Sequence, residues 1–170
     1  QDARDLKKVV QTELNIEGNP IPEFIDLVLE VAPAQVTLVP DAPDAITSNA
    51  GWDTITHRDF LKDVIGRFQA AGIRTSIFVD PDPEMIRAAR DTGTDRVELY
   101  TESYASGFEQ DAEKAVAPYA EAARAAKEVG LGLNAGHDLN LDNIRFFREQ
   151  VPHLLEVSIG HALTVDAIRM

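Results

Sequence analysis

Cysteine is absent from this 170-residue chain, which excludes a disulfide framework, thiol catalysis and a Cys-ligated zinc site. Basic residues are few: 16 Lys and Arg stand against 29 Asp and Glu, for a formal charge of −13. Nucleic acid and anionic membrane surfaces both call for basic patches, so neither is expected as a partner. A small anionic substrate stays compatible, because a local cradle of backbone amides can hold phosphate on an acidic protein. No apolar run approaches the roughly 18 residues needed to cross a bilayer. The opening stretch, Gln1-Asp2-Ala3-Arg4-Asp5, lacks the features of a secretory signal. A cytoplasmic protein acting on small molecules is the expectation. Neither a Gly-x-Gly-x-x-Gly turn nor a Gly-Lys-Ser/Thr loop follows any apolar run, which weighs against dinucleotide and NTP binding.

What is present suits one compact domain over residues 1–170, since 44% of the residues are hydrophobic. Short apolar runs alternate with helical patterns. Strands are expected at Leu14–Glu17, Gln35–Pro40, Thr75–Asp80, Arg96–Thr101, Leu131–Gly136 and Leu155–Ile159. The intervening helices fall near Glu23–Val31, Thr54–Ala71, after Pro81-Asp82-Pro83-Glu84, over Ala117–Val129 and over Leu141–Gln150, with a last one opening at His161. In the second of these, Phe60, Leu61, Val64, Ile65 and Phe68 repeat at helical spacing as one buried stripe. No hairpin signal separates the strands, so an all-parallel α/β sheet is expected, either doubly wound or a barrel. A TIM (β/α)8 barrel needs eight strands and at least about 200 residues. With about six βα units, the chain reads as the later part of such a barrel, without its first two strands and with its last helix cut short.

The candidate chemistry lies at strand ends. Leu131-Gly132-Leu133 runs into Gly136-His137-Asp138, and Val157-Ser158-Ile159 runs into Gly160-His161. Glu17 and Glu98 occupy comparable places, and in a barrel all four ionisable groups, Glu17, Glu98, His137 and His161, would converge on one mouth. Such groups can move protons on and off a carbonyl substrate, with burial drawing their pKa values toward neutrality. Glu98 interrupts the otherwise apolar Val97-Glu98-Leu99-Tyr100, a costly placement for a carboxylate that is neither paired nor used. Glu17, before Gly18-Asn19-Pro20, also fits an exposed loop carboxylate. Gly136 beside His137 suggests the close approach of a ligand. The Gly160-His161 amides at a helix N-terminus suit a phosphate cradle, although His161 also fits a plain first-turn residue. The loop Asp41–Gly51 has the length of a lid, with Thr47 and Ser48 offering hydroxyls to a phosphate. Trp52 is expected to anchor that loop, and His57 and His153 to be structural or exposed.

Together these residues resemble the pyridoxine 5′-phosphate synthase family of vitamin B6 biosynthesis. The resemblance rests on Leu14-Asn15-Ile16-Glu17, Leu38-Val39-Pro40 with Ile46-Thr47 and Gly51, and Ser76-Ile77-Phe78-Val79-Asp80. It continues through Val97-Glu98-Leu99-Tyr100-Thr101 with Tyr104-Ala105, Asn134-Ala135-Gly136-His137 with Leu139, and Ile159-Gly160-His161-Ala162. The family is a (β/α)8 barrel that condenses 1-deoxy-D-xylulose 5-phosphate with 3-amino-2-oxopropyl phosphate, closing the pyridine ring and releasing phosphate and water. The resemblance implies Glu17 as a general base, His137 as a general acid and Glu98 as a further catalytic carboxylate. It implies that Thr47, the backbone around Asp138, and Gly160 with His161 bind substrate or phosphate. It further implies no metal or organic cofactor, a homo-octamer, and a lid after the Gln35–Pro40 strand. The family's Asn-x-Asp-His and His-x-Arg motifs are not in this sequence, so the 170 residues by themselves are expected to lack turnover. Two alternatives remain from the residues alone. One is a metal-dependent sugar-phosphate isomerase or aldolase barrel using the same carboxylates and imidazoles as ligands; the other is a non-catalytic remnant that keeps the fold.

Overall fold

A computed structural model describes residues 1–41 and 50–169. Its strands are β1 (Asn15–Gly18), β2 (Gln35–Leu38), β3 (Arg74–Val79), β4 (Arg96–Tyr100), β5 (Gly132–Gly136) and β6 (Leu154–Ser158). Its helices are α1 (Asp2–Val9), α2 (Pro22–Val31), α3 (Arg58–Ala70), α4 (Pro83–Ala89), α5 (Glu102–Gly107), α6 (Ala112–Glu128), α7 (Ile144–Gln150) and α8 (His161–Arg169). The strands form one parallel sheet in sequential order from β1 to β6, each joined to the next by a crossover through at least one helix.

Strand alternation separates two faces. Val36, Leu38, Ile77, Val79, Val97, Leu99, Leu133 and Ala135 join the apolar core with residues of α2, α3, α4, α6 and α7. The other parity carries Asn15, Glu17, Gln35, Thr37, Arg74, Ser76, Arg96, Glu98, Asn134 and Glu156, polar residues on a face that no core cluster covers. One covered face and one polar face rule out a doubly wound sheet, which needs helices on both. The sheet is also curled. Arg74 on β3 lies 3.7 Å from Glu156 on β6. In a flat sheet those strands would be about 14 Å apart, at roughly 4.8 Å per step. Arg74 also pairs with Glu13 and with Gln35 Oε1 (2.7 Å), while Arg96 reaches Glu156 (2.7 Å) and Asn134 (3.3 Å). These chords tie the N-terminal ends of β1 through β6 across the inside of the curl.

Local sequence explains most boundaries. Asp82 caps α4 through Glu84 N (2.8 Å) with Pro83 at the first helical position. Three expectations need correction. α3 starts at Arg58 rather than near Thr54, because Asp53 Oδ1 accepts from Ile55 N and Thr56 N and holds a turn there. Phe60 is 46% exposed, so the buried stripe of α3 is Leu61, Val64, Ile65 and Phe68. α6 starts five residues before Ala117, capped by Asp111 on Lys114 N (3.0 Å), and Pro118 lies inside it.

Behind the sheet, Tyr104, Tyr119 and Phe147 form an aromatic cluster, with Tyr104 and Phe147 centroids 4.8 Å apart. The two phenols buttress loops at the carboxyl ends of the strands. Tyr119 donates to the Tyr100 carbonyl (2.9 Å) and Tyr104 to the Asn143 carbonyl (2.7 Å). Trp52, 7% exposed, donates its indole N–H to the Leu38 carbonyl (3.0 Å), anchoring the chain beyond β2.

Candidate active site

The carboxyl ends of the strands surround a cavity of about 940 Å³. It brings together Glu17, Glu98, His137, Asp138, Gly160 and His161, with Asn15, Phe78 and Ser158 also on its wall. Thr47, and with it the middle of the expected lid, lies outside the described residues.

Glu98 is 1% exposed, and its Oε2 accepts from the Thr37 hydroxyl at 3.3 Å. Burial raises its pKa, opposed by the hydrogen bonds from Ser158 and Thr37. Thr37 stands 3.2 Å from Asn15 Nδ2, so a short polar chain links the carboxylate to the strand that carries Glu17. Glu17 is pushed up to about 7, chiefly by burial and then by the charges of Glu98 and Asp41. Two carboxyls facing one cavity are thus both shifted upward from their ordinary values, and Glu17 titrates near neutrality.

His137 and Asp138 occupy consecutive left-handed conformations, with φ of 93° and 59°. Each such L-residue costs roughly 1–2 kcal/mol, so the turn persists only because its surroundings fix it. His137 Nδ1 lies 2.9 Å from Asp138 Oδ2, which makes Nδ1 the protonated nitrogen in the neutral ring. The ring stacks edge-on against Tyr100 at 5.0 Å. Asn143 Nδ2 donates to the Asp138 carbonyl (3.3 Å), and Asn140 Oδ1 accepts from Asp142 N and Asn143 N. Gly160 and His161 open α8 at the cavity rim, where the first-turn amides have no intrahelical acceptor.

Gly136 lines the cavity, and its missing Cβ makes room for Glu98. A Cβ there would lie 2.5 Å from Glu98 Oε1 and 3.0 Å from Ser158 Cβ. The space a Cβ would take is filled by the Glu98 carboxylate, beside the cavity that Gly136 also lines.

Comparison with known proteins gives one family. A family model described as "Pyridoxal phosphate biosynthesis protein PdxJ" matches residues 1–170. The chain belongs to the PdxJ family. Proteins curated as "Pyridoxine 5'-phosphate synthase" include one from Christiangramia forsetii, 66% identical over 167 residues, covering 98% of this chain and 70% of the relative. Another, from Flavobacterium johnsoniae, is 63% identical over 168 residues, covering 99% and 71%. Among solved structures, a dihydrodipicolinate synthase aligns with a TM-score of 0.59 at 12% identity, over 88% of this chain and 57% of that one. An HpcH/Hpal aldolase/citrate lyase family protein from Burkholderia cenocepacia aligns with a TM-score of 0.56 at 16% identity, over 99% and 78%. At such identities the likeness is one of fold alone.

In this PdxJ family member several residues on the cavity wall or directly behind it escaped sequence reasoning. Thr37 interrupts Val36-Thr37-Leu38 just as Glu98 interrupts its strand, a signal that was available. Asn15 and Ser158 carry no such mark, and only the curl of the sheet brings them in. Among the described residues no three imidazole or carboxylate groups gather closely enough to hold a metal ion, so the metal-dependent isomerase alternative lacks its ligand set there. Among them, too, no helix is long and apolar enough to cross a membrane.

Proposed function

We propose that this chain supplies about half of a pyridoxine 5′-phosphate synthase active site on a (β/α)8 barrel that forms one domain. The reaction condenses 1-deoxy-D-xylulose 5-phosphate with 3-amino-2-oxopropyl phosphate, and closes the pyridine ring with release of phosphate and water. The observation that carries the reading is the meeting of Glu17, Glu98 and His137 around one cavity in a PdxJ family chain. Ring closure needs repeated proton transfers and dehydrations, and a carboxyl titrating at about 7 can both take and give a proton at neutral pH. Glu17 acts as the general base. His137 acts as general acid toward a leaving group, oriented by Asp138. Glu98, held by Thr37 and Ser158, is the further catalytic carboxylate. Thr47, the backbone at Asp138, and the Gly160-His161 amides hold substrate or phosphate; a phosphate at the α8 N-terminus would meet first-turn N–H groups and the positive end of the helix dipole. No metal or organic cofactor takes part, and the working assembly is a cytoplasmic homo-octamer.

The test uses a chimera in which these 170 residues replace the matching 70% of the Christiangramia forsetii relative. Given both substrates, it is expected to form pyridoxine 5′-phosphate and to lose at least about 100-fold in kcat on Glu98→Gln. Substrate binding without product would favour the non-catalytic remnant. Product formation that survives Glu98→Gln, Glu17→Gln and His137→Asn alike would remove the assigned roles.

A further inference from the structure

Thr101 is fully buried at the junction between β4 and α5. As the N-cap residue of α5 it would ordinarily turn its hydroxyl to an amide of its own helix, yet among the described residues it makes no such bond. The side chain crosses instead to β5. Its Oγ1 lies 2.7 Å from the Gly136 carbonyl and 2.5 Å from the His137 carbonyl. The Gly136 carbonyl already accepts the Thr101 backbone N–H at 2.9 Å. The one hydroxyl proton is therefore best placed on His137 O, the carbonyl of the first left-handed residue. The His137–Asp138 peptide is trans, so fixing that carbonyl also fixes the opposite side of the peptide plane, the Asp138 N–H.

We propose that Thr101 is a positioning residue: its hydroxyl pins the strained His137-Asp138 turn and so aims the imidazole at the cavity. What His137 does there rests on the synthase reading; where it sits does not. Asn143 holds the other end of the turn through the Asp138 carbonyl, so the pair is clamped from both sides. Deleting one clamp lets the left-handed residues relax and breaks the alignment of the ring with Asp138.

The experiment has two readouts. In the full chain, ring 15N spectra at about pH 8, with His137 assigned through His137→Asn, should report the Nδ1–H tautomer. Thr101→Ser should keep that signature and Thr101→Val should convert it to a mixture of tautomers. In the chimera, Thr101→Val should lower kcat by about 10- to 100-fold with KM changed less than about threefold, and Thr101→Ser should restore most of it. If Thr101→Val does not fold, Thr101→Ala, which leaves room for a water between the carbonyls, takes its place. An unchanged tautomer and kcat in the hydroxyl-free variant would overturn the proposal, as would a loss confined to KM. A parent chimera without product would count against the synthase reading alone, and the ring spectra would still decide the positioning role.

Discussion

Glu98 holds a carboxyl where water is scarce, the Glu17 pKa is raised as well although its side chain keeps contact with solvent, and the cost of each placement can be measured. The Glu17 pKa is about 7 in the folded protein against an ordinary 4.5, so between those values the native state binds more protons than the unfolded chain. The Glu17 contribution to stability is then fullest below about pH 4.5 and falls as pH rises through 7, the reverse of a salt-bridged carboxylate. Glu17→Gln should flatten that decline and stabilise the protein at pH 8, by an amount that solvent screening of this exposed residue holds to about 1 kcal/mol or less, while leaving pH 5 nearly unchanged. Urea unfolding at the two pH values checks it; equal effects at both would mean that Glu17 is not the group responsible. Glu98 shifts in the same direction, so some slope should survive in the variant. Gly136→Ala tests the close approach of Glu98: its Cβ would meet Oε1 at 2.5 Å, and either the carboxylate or β5 must move. A loss of about 1–3 kcal/mol is expected, with a matching loss of Glu98-dependent turnover. At this scale the sequence was legible where a residue broke a pattern, as Glu98 does among Val97, Leu99 and Tyr100. It was incomplete at Gly136, because a glycine says that a Cβ is not tolerated and is silent about what takes its place. Thr101 could not be recognised at all, since a threonine closing a strand is ordinary and its partner carbonyls lie 35 and 36 residues away.

Helix α3 shows why periodicity predicts an element better than its facing. Phe60 and Leu61 both fit an apolar stripe with Val64, Ile65 and Phe68, yet Leu61 is fully buried and Phe60 is 46% exposed. Leu61→Ala should therefore cost about 2–5 kcal/mol and Phe60→Ala under about 1 kcal/mol, a contrast that thermal or urea unfolding would resolve. Similar losses at both would mean that the helix is rotated relative to the sheet. Helix α6 shows the limit of a boundary rule. Proline favours the first helical turn, which put the expected start at Ala117, whereas Pro118 lies within a 17-residue helix. An interior proline costs about 3 kcal/mol, and α6 offsets it by burying Val116, Tyr119, Ala122, Ala123, Ala125 and Ala126 against the sheet and neighbouring helices. The cap at Asp111 is what fixes the true start, and Asp111→Ala should cost about 1 kcal/mol. Short α5 was missed because six residues are too few for a helical period to show.

At the scale of the whole molecule, the parallel order was legible from the alternation of strands and helices, while the preference for a barrel over a doubly wound sheet came from strand count and resemblance rather than from the strands' own faces. The signal was present in the strands themselves: Asn15, Thr37, Ser76, Glu98 and Asn134 alternate with apolar neighbours, and an inner face so polar cannot lie beneath a second layer of helices. Curling turns that face into a cavity, with the Arg74, Arg96, Glu13 and Glu156 network closing its floor. β1 and β6 pair only with β2 and β5 among the described residues, and β6 exposes Leu155 (56%) and Val157 (36%). Along that side the site meets solvent. Water there competes for every hydrogen bond the reaction needs and raises the effective dielectric around Glu17 and Glu98, which weakens the pKa tuning that suits them to proton transfer. The 170-residue polypeptide alone should thus form no detectable pyridoxine 5′-phosphate, while the chimera, which adds the relative's remaining 30% around the same six strands, should turn over. Equal kcat from the two proteins would show that the open side is no obstacle, and that the residues gathered between β1 and β6 suffice for ring closure.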